Sequence, residues 1–145
     1  MASTIGGIRA RLRIMRDLEK RALQCAIALG SLVPISAGAA GVLMGPRMLS
    51  HTAVVAGDLD SHFRYLSGLL LGIGLAYVST IPAIETRQQR FRLLTVIVVV
   101  GGLGRLLHLL SSGFVSRVSV AALAMELLVT PGLALWQWRV ARMFC

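Results

Sequence analysis

Four apolar stretches constrain this chain more than any other feature. They lie at about residues 22–45, 64–83, 91–111 and 119–138, and only two charged side chains, Arg105 and Glu126, stand deep inside them. A helix of about 20 residues crosses the roughly 30 Å of a bilayer's hydrocarbon, so each stretch has the length of a spanning helix. The valine run at 96–100 would read as a buried strand in a soluble protein, but its length and basic flank favour a helix. Composition agrees, with 56% hydrophobic and 14% charged residues, where a soluble domain carries about a quarter charged. In 145 residues, four spans leave little for a second domain. The sequence therefore predicts an all-α integral membrane protein. Four transmembrane helices form an antiparallel bundle over residues 22–145, preceded by a leader at 1–21.

The formal net charge is +9, from 15 Lys and Arg against six Asp and Glu. Arg9, Arg11, Arg13, Arg16, Lys20 and Arg21 precede the first apolar stretch, Arg87, Arg90 and Arg92 separate the second from the third, and Arg139 and Arg142 follow the fourth. Short cytoplasmic loops collect Lys and Arg, so the excess reads as topology: an inner (cytoplasmic) membrane protein with both termini and the middle connection cytoplasmic. It does not read as a nucleic-acid footprint. Ile5, Ile8, Leu12 and Met15 recur at helical spacing among the leader's bases, which predicts a basic amphipathic helix over 3–20 lying on anionic lipid of the inner leaflet. A flexible basic tail is the alternative. The leader, apolar run and "SAGAAG" also fit a signal peptide, but the apolar run continues past the small residues. Cys25 and Cys145 stand far apart without metal-ligand spacing.

Small residues mark packing faces. Gly30, Pro34, Gly38, Gly41 and Gly45 fall near one face of the first span, and Gly68, Gly72 and Ser79 near one face of the second, stripes that let membrane helices approach closely. The connection 46–63 carries a turn signal, "GDLD", at 57–60. Pro82 closes the second span and Pro131 is expected to bend the fourth midway. Trp136 and Trp138, just before Arg139, form an aromatic and basic anchor at the inner interface.

Arg105 stands seven residues before Ser112, where the third span ends, and Glu126 seven residues after Ser119, where the fourth begins. At 1.5 Å per residue, both lie roughly 10 Å below the same boundary. Consecutive helices joined by a short loop pack as neighbours, so the two charges are placed to meet, and a guanidinium can hold a carboxylate through two hydrogen bonds. Unpaired, each would cost about 2.5 kcal/mol or more at mid-membrane. Gly101 and His108 share Arg105's side, with Gly101 and Gly102 as packing positions; Ser119, Ala122, Thr130 and Gln137 share Glu126's. The sequence thus assigns Arg64, Arg105, His108 and Glu126 to an intramembrane polar cluster, with Asp58, Asp60 and His62 in the outer loop beside it. Two readings of the Arg105–Glu126 pair stay open: a structural pair that fixes register, or a ligand or proton site. The histidines fit no zinc spacing and read as satisfied interfacial side chains. Asp58 and Asp60 offer too few oxygens for calcium and read as a solvated turn. No metal or cofactor is expected.

There is no GxSxG, HExxH, P-loop or dinucleotide fingerprint, so no enzyme activity is expected. The runs "DLDSHFRYLSGLLLGIGLAYV", "FRLLTVIVVVGGLGRLLHLLSSG" and "ALAMELLVTPGLALWQ" resemble the bacterial four-helix membrane family catalogued as domain of unknown function 4345. Ser61, Phe63, Arg64, Gly68, Gly72, Gly101, Gly102, Arg105, Gly113, Glu126 and Pro131 carry the resemblance, which covers about 22–140. It implies a four-helix inner-membrane architecture and no particular chemistry. The expected function is a non-enzymatic accessory or scaffold subunit, packed in or beside a larger membrane complex, with lipids and either a membrane-protein partner or a second copy around it. The competing expectation is a small oligomeric transporter, or a lipid- or quinone-binding protein, using the Arg105–Glu126 site.

Overall fold

The computed structural model describes residues 2–48, 57–113 and 116–144, with side chains from Arg11 onward. Regular structure among the described residues is entirely helical: α1 Ala2–Met44, α2 Gly57–Val78, α3 Gln88–Ser112, α4 Arg117–Ala124 and α5 Thr130–Phe144. A π-helical turn, Met125–Val129, joins α4 to α5, and 3-10 turns at Gly45–Met48 and Ile81–Ala83 follow α1 and α2. Among the described residues, four helical stretches are long and apolar enough to cross a membrane: Arg11–Met48, Gly57–Ala83, Gln88–Ser112 and Arg117–Phe144.

The chain divides into two compact units, Met1–Cys25 with Pro82–Cys145, and Ala26–Ile81. The first buries Leu23, Ile84, Phe91, Leu94 and Val140. In the second, α1 and α2 approach at glycine. A Cβ on Gly38 would stand 2.6 Å from the Leu71 nitrogen and 2.8 Å from the Ser67 oxygen, and one on Gly74 would stand 2.7 Å from Ile35 Cγ1. Gly41 lies equally close to the Ser67 side chain. The small-residue stripe expected on α2 is not where this contact falls. Gly68 would meet only Val42, at 3.9 Å, and Gly72 faces open space.

The leader and first span are one unbroken helix of 43 residues, roughly 65 Å long, where the sequence predicts a separate helix on the membrane surface. Nothing between Ala10 and Leu29 is Gly or Pro, so propensity gives no reason to break. The leader's described faces are mixed, with Arg11, Arg13, Asp17 and Arg21 exposed as well as apolar side chains. Arg16, Glu19, Lys20 and Leu23 turn inward, while Leu12, Ile14, Met15 and Leu18 are exposed. Ile5, Ile8 and Arg9 lie outside the described side chains.

One further expectation is corrected. "GDLD" is the first turn of α2, because Asp58 and Asp60 favour the positive end of a helix dipole and Asp60 pairs with Arg64 four residues on. Just upstream of Pro131 the backbone widens into the π turn. Proline has no N–H to donate and its ring crowds the carbonyl four residues back. The Thr130 N–H and Oγ1 both donate to the Met125 carbonyl instead, Oγ1 at 2.8 Å.

Candidate functional site

Arg105 Nε donates to Glu126 Oε2 at 3.1 Å and Nη2 donates to Oε1 at 3.2 Å, a two-bond fork between α3 and the π turn. Gly102, one turn earlier on α3, permits it. A Cβ there would stand 2.9 Å from Glu126 Cβ and 2.8 Å from Leu127 Cδ2. Gly101 has nothing within 4 Å and does not share this role. The pair is not enclosed: side-chain exposure is 40% for Arg105 and 21% for Glu126. His108 is exposed one turn further along α3, where Ser111 and Ser112 donate to its carbonyl and Ser112 Oγ lies 3.4 Å from Nε2.

A second arginine is held in the other unit. Arg64 Nε lies 3.1 and 3.2 Å from the Asp60 carboxylate oxygens, and Nη1 donates to the Val42 and Leu43 carbonyls at 2.6 and 3.2 Å. Those carbonyls belong to the last turn of α1, which has no intrahelical partners to offer them. Arg64 therefore caps α1 while anchored on α2. Gly45 completes the joint with φ +61°, and a Cβ there would run into Asp60 and Arg64. His62 is exposed, its ring 6.4 Å from that of Tyr65, and Asp58 is exposed. Among the described residues, no group of three His, Cys, Asp or Glu is placed to hold a metal ion.

Sequence reasoning missed the polar set that ties the leader to α5 and the middle connection. Lys20 Nζ binds Glu85 Oε1 at 2.8 Å, and Arg139 Nη2 binds Glu19 Oε1 at 3.0 Å. Phe144 lies under two cations, 4.4 Å from the Arg16 guanidinium and 5.5 Å from Lys20 Nζ. Gln137, fully buried, donates to the Ile84 carbonyl at 2.8 Å. The available signal was three acids, Asp17, Glu19 and Glu85, set among the leader, loop and C-terminal bases.

Glu85 lies between the second and third candidate spans. Burial raises its pKa, but the hydrogen bond from Lys20, its own backbone N–H and the Lys20 charge together outweigh burial and hold it below the ordinary 4.5. A depressed carboxylate stabilises the fold above its unfolded pKa and loses that contribution as pH falls through the folded value. The thermal midpoint of the solubilised protein should therefore hold down to about pH 4.5 and fall below it. In Glu85→Gln the midpoint should be lower at neutral pH and the acid-side fall shallower; identical slopes would remove Glu85 from the account.

Helix positions, the ion pair and the proline-linked π turn fall within the range covered by one family. The profile of the Domain of unknown function (DUF4345) matches residues 22–137. The chain belongs to that family. No curated protein and no solved structure matches the chain. The DUF4345 match includes Arg64, Arg105, Glu126 and Gln137 and starts after the leader, so Glu19, Lys20, Arg139 and Phe144 lie beyond its ends.

Proposed function

We propose that this DUF4345 protein is a non-enzymatic multi-pass inner-membrane protein that serves as an accessory or scaffold subunit, packing against a larger membrane assembly or a second copy. The observation that carries this reading is the exposure of the Arg105–Glu126 pair. Charged groups in membrane helices normally face a protein interior or water, yet this fork lies partly open on its own chain, and Arg105 Nη1 has no partner among the described residues. A protein surface laid over α3 and the π turn would complete its enclosure. The spans have the sparse burial such a role requires: 22%, 11%, 11% and 0% of their most apolar windows are buried. An antiparallel course is supported by the order of contacts, with Gly102 and Arg105 meeting Glu126 while Arg92, at the other end of α3, lies beside Trp138. Cytoplasmic termini rest on the basic residues of the leader, middle loop and C-terminal end.

Proton-coupled transport fits less well, because both Glu126 oxygens are already accepting from Arg105. Native mass spectrometry of gently solubilised protein tests the reading. A stoichiometric membrane-protein complex or homo-oligomer, disrupted when the exposed Leu128, two residues beyond Glu126, is replaced by Trp, is expected. A lone monomer contradicts it, and substrate-driven proton flux in liposomes that is lost in Glu126→Gln would establish transport instead.

A further inference from the structure

The same end of the unit that holds Lys20, Glu85 and Arg139 also carries an open groove of about 310 Å³, lined by Arg92, Ala134, Leu135 and Trp138. Its floor is apolar and its rim is cationic. Arg92 and Arg142 have no hydrogen-bond or ion-pair partner among the described residues, and the Arg142 guanidinium carbon lies 3.7 Å from the Trp138 ring centroid. The surrounding charge is one-sided. The leader, middle connection and C-terminal end together hold eleven Lys and Arg against three Asp and Glu, and two of those acids, Glu19 and Glu85, are already bound to Arg139 and Lys20. Among the described residues, no carboxylate is paired with Arg92 or Arg142.

We infer that this groove binds one anionic phospholipid, with an acyl chain along Ala134, Leu135 and Trp138 and the headgroup phosphate between Arg92 and Arg142. Arginine's planar fork suits a phosphate's oxygens, and tryptophan beside basic residues marks the level at which headgroups meet hydrocarbon. The inference rests on the membrane placement in the proposed function but not on any protein partner, so a lone monomer leaves it intact, whereas a chain that stays soluble without detergent ends both.

The test is lipid competition read by native mass spectrometry. Solubilised protein is equilibrated with equal amounts of phosphatidylglycerol and phosphatidylcholine carrying the same acyl chains, and the retained lipid is weighed. The wild type should retain phosphatidylglycerol in preference by on the order of tenfold, and Arg92→Gln/Arg142→Gln should retain the two lipids nearly equally. Ala134→Phe keeps both arginines and fills the groove; it should lose retained lipid as well, and it carries the test if the double variant fails to fold. The charge-matched pair Arg13→Gln/Arg87→Gln, away from the groove, should keep the preference. The assignment is overturned if the off-groove pair abolishes selectivity equally, or if the groove variants keep it. Displacement by inorganic phosphate alone would identify a free-anion site and also overturn it.

Discussion

Gly38→Ala should lower the stability of the solubilised protein by about 3 kcal/mol, the upper end of what overpacking costs, whereas Gly72→Ala should be neutral or slightly stabilising. The two glycines sit in the same unit, on facing helices, and the change is one methyl group in each. What differs is the obstacle. The new carbon at 38 meets the Leu71 nitrogen at 2.6 Å and its Cα at 2.9 Å, and the Ser67 oxygen at 2.8 Å. All three are backbone atoms, so no side-chain rotation relieves the clash and α1 must move from α2. At 72 nothing lies within 4 Å, and alanine removes glycine's backbone freedom in a helix, a gain of about 0.5–1 kcal/mol. Thermal unfolding in one detergent measures both; equal midpoints for the two variants would mean that α1 and α2 do not approach as described.

Arg105→Ala should be more damaging than removal of both charges. Deleting the guanidinium leaves the Glu126 carboxylate without either of its two donors, and an unpaired charge in a spanning helix costs about 2.5–3.5 kcal/mol on insertion scales. Arg105→Ala/Glu126→Ala removes the charge together with its partner, and such double replacements are often close to neutral. The double variant should therefore recover most of the single variant's loss, and the swap Arg105→Glu/Glu126→Arg should recover part of it, limited by the different reach of the side chains. A double variant as unstable as the two single losses added would show that the fork contributes no coupling energy.

The parts of this molecule that follow short-range rules were legible in the sequence. The four helices follow from uninterrupted apolar length, and the meeting of Arg105 with Glu126 follows from equal distances to the turn between their helices. What was not legible depended on three-dimensional detail. Gly38, Gly41 and Gly102 make close approaches as their positions suggest, but on α2 it is Gly74 that meets α1 and not Gly68 or Gly72, which have the spacing of a packing motif, because rotation of a helix about its axis is fixed by the whole contact face. The π turn followed from Pro131 only in part: proline signals an irregularity, and the Thr130 hydroxyl donating to Met125 helps decide which one. Arg64 is also a cap for α1, a role invisible until Val42 and Leu43 are known to end that helix. Gln137 was placed with Glu126 on one side of the fourth span, yet its own partner is the Ile84 carbonyl, 53 residues away.

Cysteine accessibility in proteoliposomes of mixed orientation is the most direct measurement of the membrane placement on which the ion pair's role depends. In a Cys25→Ser/Cys145→Ser background, Leu107→Cys and Leu128→Cys place thiols two residues from Arg105 and Glu126, at the same level of their helices but on other faces, where the native side chains are 68% and 71% exposed on the chain. Both thiols should resist a water-soluble maleimide until the protein is denatured, while Ser116→Cys, between the last two spans, reacts at once. Reaction at 107 and 128 as fast as at 116 would mean that this level of both helices lies in water, and the account of an intramembrane fork awaiting a protein surface would be wrong.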